Sequence, residues 1–171
     1  MSDERLILVT GASGYVGGRL VTSLLADKAK VRVFVRDANK AQSHSWANEV
    51  EVAVGNASDY QSTVKALTGV HTAFYLLHSI NLGPNFDQIE SEMARNFAKA
   101  AEECGVKQIV YLGGINNDAK TSKHLQSRAN TGKELATTSV AVMELRAGII
   151  IGSGSASFEM LRHLTHRLPI M

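Results

Sequence analysis

Thr10-Gly11-Ala12-Ser13-Gly14-Tyr15-Val16-Gly17 decides the fold. This stretch follows the apolar run Leu6 to Thr10 and passes at once into a segment where Val16, Leu20 and Leu24 recur at helical spacing. The run reads as a strand and the recurrence as an amphipathic helix, which makes the three glycines, spaced G-x-x-G-x-x-G, the turn between them. Each glycine has its own task there. Gly11 permits a tight strand-to-helix turn, Gly14 lets the backbone approach a pyrophosphate, and Gly17 lets the helix pack close to the strands. Phosphates would sit on unpaired N–H groups at the helix start, where the dipole also favours negative charge.

The same alternation continues outward. Further β-branched runs lie at Val31 to Val35, Val50 to Val54, Thr72 to Leu77, Gln108 to Leu112 and Val140 to Leu145. Several are apolar on consecutive residues, as parallel strands covered on both faces are. Between them, Val64 and Leu67 mark a short helix closed by Gly69, and Ile89, Met93, Phe97, Ala101 and Cys104 line one face of a longer one. Lys120 to Thr138 is a polar helix carrying Gly132, and a last helix has Phe158, Leu161, Leu164 and Leu168 on one side. Strands alternating with helices in this rhythm predict a doubly wound parallel sheet with helices on both faces, the Rossmann arrangement, in a single α/β domain over 1–171.

The composition agrees. The chain has 171 residues, 44% hydrophobic and 20% charged, with a formal charge of +2. That length suits one domain with a core that needs no disulfide or metal staple. So small a charge gives no electrostatic footprint for nucleic acid. No apolar run approaches the ~20 residues of a membrane span. The opening MSDERLILVTG does not read as a signal peptide, and Cys104, the sole cysteine, allows no intrachain disulfide. The expected location is a reducing cytoplasm.

The strand Val31 to Val35 ends in Arg36, 19 residues after Gly17. An acidic side chain at that point would bind a ribose 2′-hydroxyl and favour NAD, whereas a guanidinium can clasp a 2′-phosphate. Arg36 therefore favours NADP over NAD, with Ser13 and Lys40 able to add to the same pocket. Asp37 is the opposing signal, because a register shift of one residue would put a carboxylate in that place.

Thr10 to Gly17, Val33-Phe34-Val35-Arg36-Asp37 and Gly69-Val70-His71-Thr72-Ala73-Phe74-Tyr75-Leu76 together resemble the extended and atypical short-chain dehydrogenase/reductases. The subgroup they are most similar to is the NmrA-like NAD(P)-binding proteins, described loosely as sugar-nucleotide epimerase-like. The resemblance implies further cofactor positions. Asn56 and Ala57 follow the third strand beside the adenine; Leu76, Leu77 and His78 end the fourth strand near the riboses. Arg146-Ala147-Gly148-Ile149 resembles a segment whose backbone lies near the nicotinamide. The family is usually longer, adding C-terminal residues that close over the substrate, so the resemblance also implies that 1–171 lacks a C-terminal substrate-binding portion.

The departures from the family pattern bear on chemistry. Its enzymes typically end the fifth strand with Ser or Thr and then carry Tyr-x-x-x-Lys. Here that strand runs Val110-Tyr111-Leu112-Gly113-Gly114, and the nearest match to the dyad is His124-Leu125-Gln126-Ser127-Arg128. On a helix, the i, i+4 spacing puts His124 and Arg128 on one face. Arg128 could hold ribose hydroxyls, and the His124 imidazole could exchange a proton with a carbonyl. Two polar residues on an exposed helix is the plainer reading. Tyr111, inside a strand, reads as packing. Two functions therefore stay open: a reductase of a carbonyl, quinone, flavin or sugar-nucleotide substrate, or a redox sensor or scaffold that binds NADP(H) without turning it over. A homo-oligomer is compatible with either. Glu159, His163 and His166 share a helix face, but no zinc pattern accompanies them and no metal is expected. Cys104 reads as a small buried hydrophobe.

Overall fold

Apolar strand residues here sort by parity onto two faces, and each face is covered by helices. A computed structural model describes residues 5–77, 86–115 and 122–167. Strands β1 (Leu6–Thr10), β2 (Lys30–Val35), β3 (Glu51–Val54), β4 (Val70–Tyr75), β5 (Gln108–Gly114) and β6 (Ala141–Ala147) form one sheet of order β3-β2-β1-β4-β5-β6. All neighbours pair in parallel. The helices are α1 (Tyr15–Ala26), α2 (Ala38–Gln42), α3 (Tyr60–Leu67), α4 (Phe86–Glu103), α5 (Lys123–Leu135) and α6 (Ala156–Arg167). Val9, Val31, Val33 and Val35 pack with Val21 of α1, Ala41 of α2 and Trp46 on one face. Leu8, Phe34, Ala73, Tyr75, Ile109 and Tyr111 pack with residues of α3, α4 and α5 on the other. The doubly wound sheet read from the sequence is the one observed.

The chain starts at β1 in mid-sheet, works outward to β3, then returns to β4 beside β1. The carboxyl ends of β1 and β4 therefore border the reversal of strand order, where open sheets of this kind leave a crevice. Thr10 secures that border. Its buried Oγ1 donates to the Phe74 carbonyl at 3.0 Å and accepts from the Leu76 N–H at 2.9 Å. Because the Leu76 N–H is taken by a side chain, β4 ends at Tyr75, two residues short of the Leu77 expected. β5 instead runs on through Gly113 and Gly114, which pair with Arg146 and Ala147. The short α2 and a 3-10 turn at Ala47–Glu49 had no periodic signal in the sequence.

β6 is an edge strand, and Met143 and Leu145 on it are about half exposed. Met160, Leu161 and Leu164 of α6 are exposed as well, so Leu161 and Leu164 of the apolar side read for that helix are uncovered, while Phe158 is half-buried and Leu168 lies outside the described residues. Among the described residues no helix is long and apolar enough to cross a membrane.

Candidate functional site

The glycine turn has the shape that its spacing predicted. Gly11 has φ +66°, and a Cβ there would stand 2.7 Å from the Leu76 carbonyl oxygen. A Cβ at Gly17 would overlap the Gly11 carbonyl, so α1 rests directly on the backbone of the turn. Gly14 donates to the Gly11 carbonyl at 2.9 Å and forms the N-cap of α1 without any side-chain bond. No acidic residue stands in that first turn. By contrast, Asp37, Asp59 and Ser122 cap α2, α3 and α5 through their side chains. The start of α1 thus presents N–H groups and a positive dipole end that no side chain among the described residues caps, the arrangement that suits a phosphate.

Ser13 and Gly14 are exposed, Tyr15 and Val16 are half-buried, and Gly17 is buried. Beside them runs a groove of about 410 Å³ bordered by Ser13, Gly14, Tyr15, Gly18, His44 and Trp46. Trp46 is buried and stacks on the His44 ring, with centroids 4.6 Å apart and planes 7° from parallel. The loop after β6 folds back to the same helix. Arg19 lies over the Tyr15 ring at 4.5 Å and donates to the Ser153 carbonyl at 2.9 Å. Gly152 passes so near the Tyr15 hydroxyl that a Cβ there would overlap it.

Arg36 stands exposed immediately after β2 and forms no hydrogen bond or ion pair among the described residues. Asp37, the opposing signal in the sequence, is occupied: its carboxylate accepts from the Asn39 N–H at 2.9 Å and caps α2. Lys40, one turn on, is exposed. At the end of β3, Asn56 is exposed and its Oδ1 accepts from the Ser58 N–H at 3.1 Å, while Ala57 is buried against α3 and α4. Leu76 and Leu77 are half-buried just beyond β4. His78 lies outside the described residues.

The carboxyl end of β5 is built differently. The space beside Gly113 is filled by the Glu144 carboxylate, which also pairs with Arg146 at 2.9 Å. The space beside Gly114 is filled by Leu125, 2.8 Å from where a Cβ would stand, with Arg128 close by. His124 is half-buried in the first turn of α5, and Arg128, one turn later, is 9% exposed with its Nη2 donating to the Leu112 carbonyl. Tyr111 packs fully buried beneath them and donates to the Arg128 carbonyl at 2.9 Å. Burial pushes the Tyr111 phenol up, against the Arg128 charge that pulls it down. Burial likewise lowers the Arg128 pKa, while Tyr111, Glu90 and Glu144 raise it again.

Glu90 escaped the sequence reading. It lies on α4, buried, and its Oε2 accepts from Ser127 Oγ at 2.5 Å. Its spacing to Met93, Ala94, Phe97 and Ala101 could have shown that it shares their face. Cys104 is half-buried, its thiol donating to the Val64 carbonyl at 3.4 Å and pushed up in pKa by burial. Glu159 of α6 is paired with Arg162 at 2.7 Å.

A model of the NmrA-like family matches residues 3–134. An NmrA-like family domain-containing oxidoreductase of Malbranchea aurantiaca is 30% identical over 139 residues, which take in 77% of this chain and 41% of that protein. The NADP(H) complex of Citrobacter sp. triphenylmethane reductase superposes with a TM-score of 0.76 at 26% identity, covering 94% of this chain and 54% of that one. The NADPH complex of an NADPH-dependent quinone oxidoreductase from Escherichia coli gives 0.69 at 27% identity, over 82% of this chain and 48% of that one. The chain thus spans about half the length of these solved relatives.

Proposed function

The chain belongs to the NmrA-like family, whose kinship is with NAD(P)-binding oxidoreductases, and on that premise we propose that it binds NADP(H) along the crevice between β1 and β4. The observation that carries the choice of NADP is the pair at the end of β2. Arg36 is exposed without a partner among the described residues, while Asp37, the neighbouring carboxylate that could favour a ribose 2′-hydroxyl, is held in a helix cap. The guanidinium, with Ser13 and Lys40, receives the 2′-phosphate through charge-assisted bonds. Gly11, Ser13, Gly14, Tyr15, Val16 and Gly17 hold the pyrophosphate at the bare start of α1. Thr10 fixes that turn against β4. Asn56 and Ala57 border the adenine, and Leu76, Leu77 and His78 border the riboses.

NADP(H), when bound, supplies or accepts the hydride. His124 would give the proton to the oxygen of a carbonyl, quinone or keto-sugar-nucleotide substrate or to a ring nitrogen of a flavin, and Arg128 would steady the nearby ribose. A second reading has one observation in its favour. With Glu144 beside Gly113 and Leu125 beside Gly114, the place of a catalytic hydroxyl at the end of β5 is taken by other side chains, which suits a sensor or scaffold that binds NADP(H) without turnover. For either reading, the exposed apolar residues of β6 and α6 and the share of the relatives' length favour a further portion that completes the substrate side.

Calorimetric titration tests the cofactor. NADPH is expected to bind about tenfold more tightly than NADH, and Arg36→Ala to remove that difference while leaving NADH unchanged. Equal affinities in the parent protein overturn the choice of NADP. Oxidation of NADPH with a panel of carbonyl, quinone and flavin acceptors, lost in His124→Ala, separates the enzyme from the sensor.

A further inference from the structure

Glu90 is a charged residue on a face that should not hold one. It lies 6% exposed on α4, among Met93, Ala94 and Phe97, which belong to the core. A carboxylate taken out of water needs donors and a compensating charge. The donor is the Ser127 hydroxyl of α5, at 2.5 Å from its Oε2, and Ser127 is itself 1% exposed. The neighbouring positive charge is Arg128, the residue after Ser127, which is 9% exposed and donates to the Leu112 carbonyl at the end of β5. The Tyr111 hydroxyl ties the Arg128 backbone to the same strand at 2.9 Å. Helix α5 is therefore anchored at one point by links of three kinds, a carboxylate from α4, a guanidinium on β5 and a phenol from β5. His124 is the residue one turn N-terminal to that point, on the same helix face as Arg128.

We propose that Glu90 is a positioning residue for the candidate site, acting through Ser127 and Arg128 to hold α5 so that His124 and Arg128 meet a ligand at the end of β5. This rests on the reading of the crevice as an NADP(H) site. Glu90 does not reach the ligand; it sets the place of the groups that do. A buried carboxylate that only stapled α4 to α5 would contribute to stability alone. The arrangement distinguishes the two roles, because a staple acts independently of the Arg128 charge, whereas a positioning residue acts through it.

A double-mutant cycle on the full chain provides the test, with Glu90→Gln, Arg128→Met and the pair. Glu90→Gln keeps the shape and an oxygen for Ser127 but removes the charge. The first readout is the His124 imidazole resonance in the cofactor-free protein, assigned by its loss in His124→Gln. Each single variant is expected to shift it, and the double variant to shift it no further than Arg128→Met alone. The second readout is NADPH affinity. Glu90→Gln is expected to weaken it about tenfold in the parent and less than about twofold in the Arg128→Met background. Glu90→Asp, which retains the charge, is expected to recover most of the loss. Independent effects that multiply in the double variant, or an unmoved His124 resonance, overturn the proposal. If the parent binds neither NADPH nor NADH, the cofactor reading fails, and the resonance cycle still decides whether Glu90 positions α5. Should Glu90→Gln not fold, Ser127→Ala breaks the same link from the other side and is read on the same two measurements.

Discussion

The ends of β1 and β5 both carry glycines, for opposite reasons. After β1, bare backbone is kept bare: Gly17 lets α1 rest on the Gly11 carbonyl, and among the described residues no side chain caps the first N–H groups of α1. After β5, the room that Gly113 and Gly114 leave is consumed from within, by Glu144 and Leu125. One strand end leaves backbone against backbone, and the other fills the space of its glycines with the protein's own side chains. The difference teaches that a glycine at a strand end is informative only with the identity of what stands in its place. Against backbone, a substitution has nowhere to go; against the tip of a flexible side chain, it displaces something able to move.

The largest effect that could break this comparison is a pair of alanines. Gly17→Ala sets a Cβ against the Gly11 carbonyl, so the turn itself must shift. Urea unfolding is expected to show a loss of about 3 kcal/mol, near the upper range for an overpacked site, with NADPH affinity falling alongside. Gly113→Ala meets only the Glu144 carboxylate, which can swing toward solvent with Arg146, and its loss is expected to stay near 1 kcal/mol. Equal losses would mean that the two strand ends do not differ in kind. A smaller effect is expected at the border between them. Thr10→Val keeps the volume but removes the hydroxyl that serves the Phe74 carbonyl and the Leu76 N–H, at an expected cost of about 2 kcal/mol. A loss that leaves NADPH affinity untouched would detach the turn from β4.

The smallest effect concerns two carboxylates on the flanking helices, Asp59 exposed at the start of α3 and Glu134 half-buried on α5. Asp59 is held below the usual carboxylate range by the Ser62 hydroxyl, then by the N–H groups of Gln61 and Ser62 that it caps and the charge of Lys65. Glu134 is held low by Arg95, which binds it with two nitrogens at 2.7 and 2.9 Å. Since folding lowers both pKa values, their contribution is complete above the ordinary carboxylate range and disappears as pH falls through the lowered values. Melting temperatures of Asp59→Asn and of the parent are therefore expected to differ at neutral pH and to converge as the pH falls through the lowered Asp59 value. A gap that widens in acid would reverse the assigned sign.

Much of the first strand end was legible because its signals are local. A strand run, three spaced glycines and a helical stripe lie within 24 residues, and Arg36 follows at the end of the next strand. The second strand end was not legible to the same degree. That Gly113 faces Glu144 follows from the register of β5 on β6, and that Glu90 is buried follows from α5 lying against α4. Neither relation is written in a window of neighbouring residues. Asp37 is an intermediate case. Its sequence position opposed Arg36 as the ribose contact, and only the five-residue α2 explains its carboxylate, a helix too short to announce itself by period.

The chain has a single tryptophan, and the fold has set it beside the glycine turn. The indole Nε1 of Trp46 is 3.9 Å from where a Cβ on Gly18 would stand, under the stacked His44 ring. All tryptophan emission from this chain therefore originates at the groove beside the glycine turn. Reduced nicotinamide absorbs where indole emits, so the protein carries its own optical donor for titrations, with no label to attach and no second tryptophan to dilute the signal.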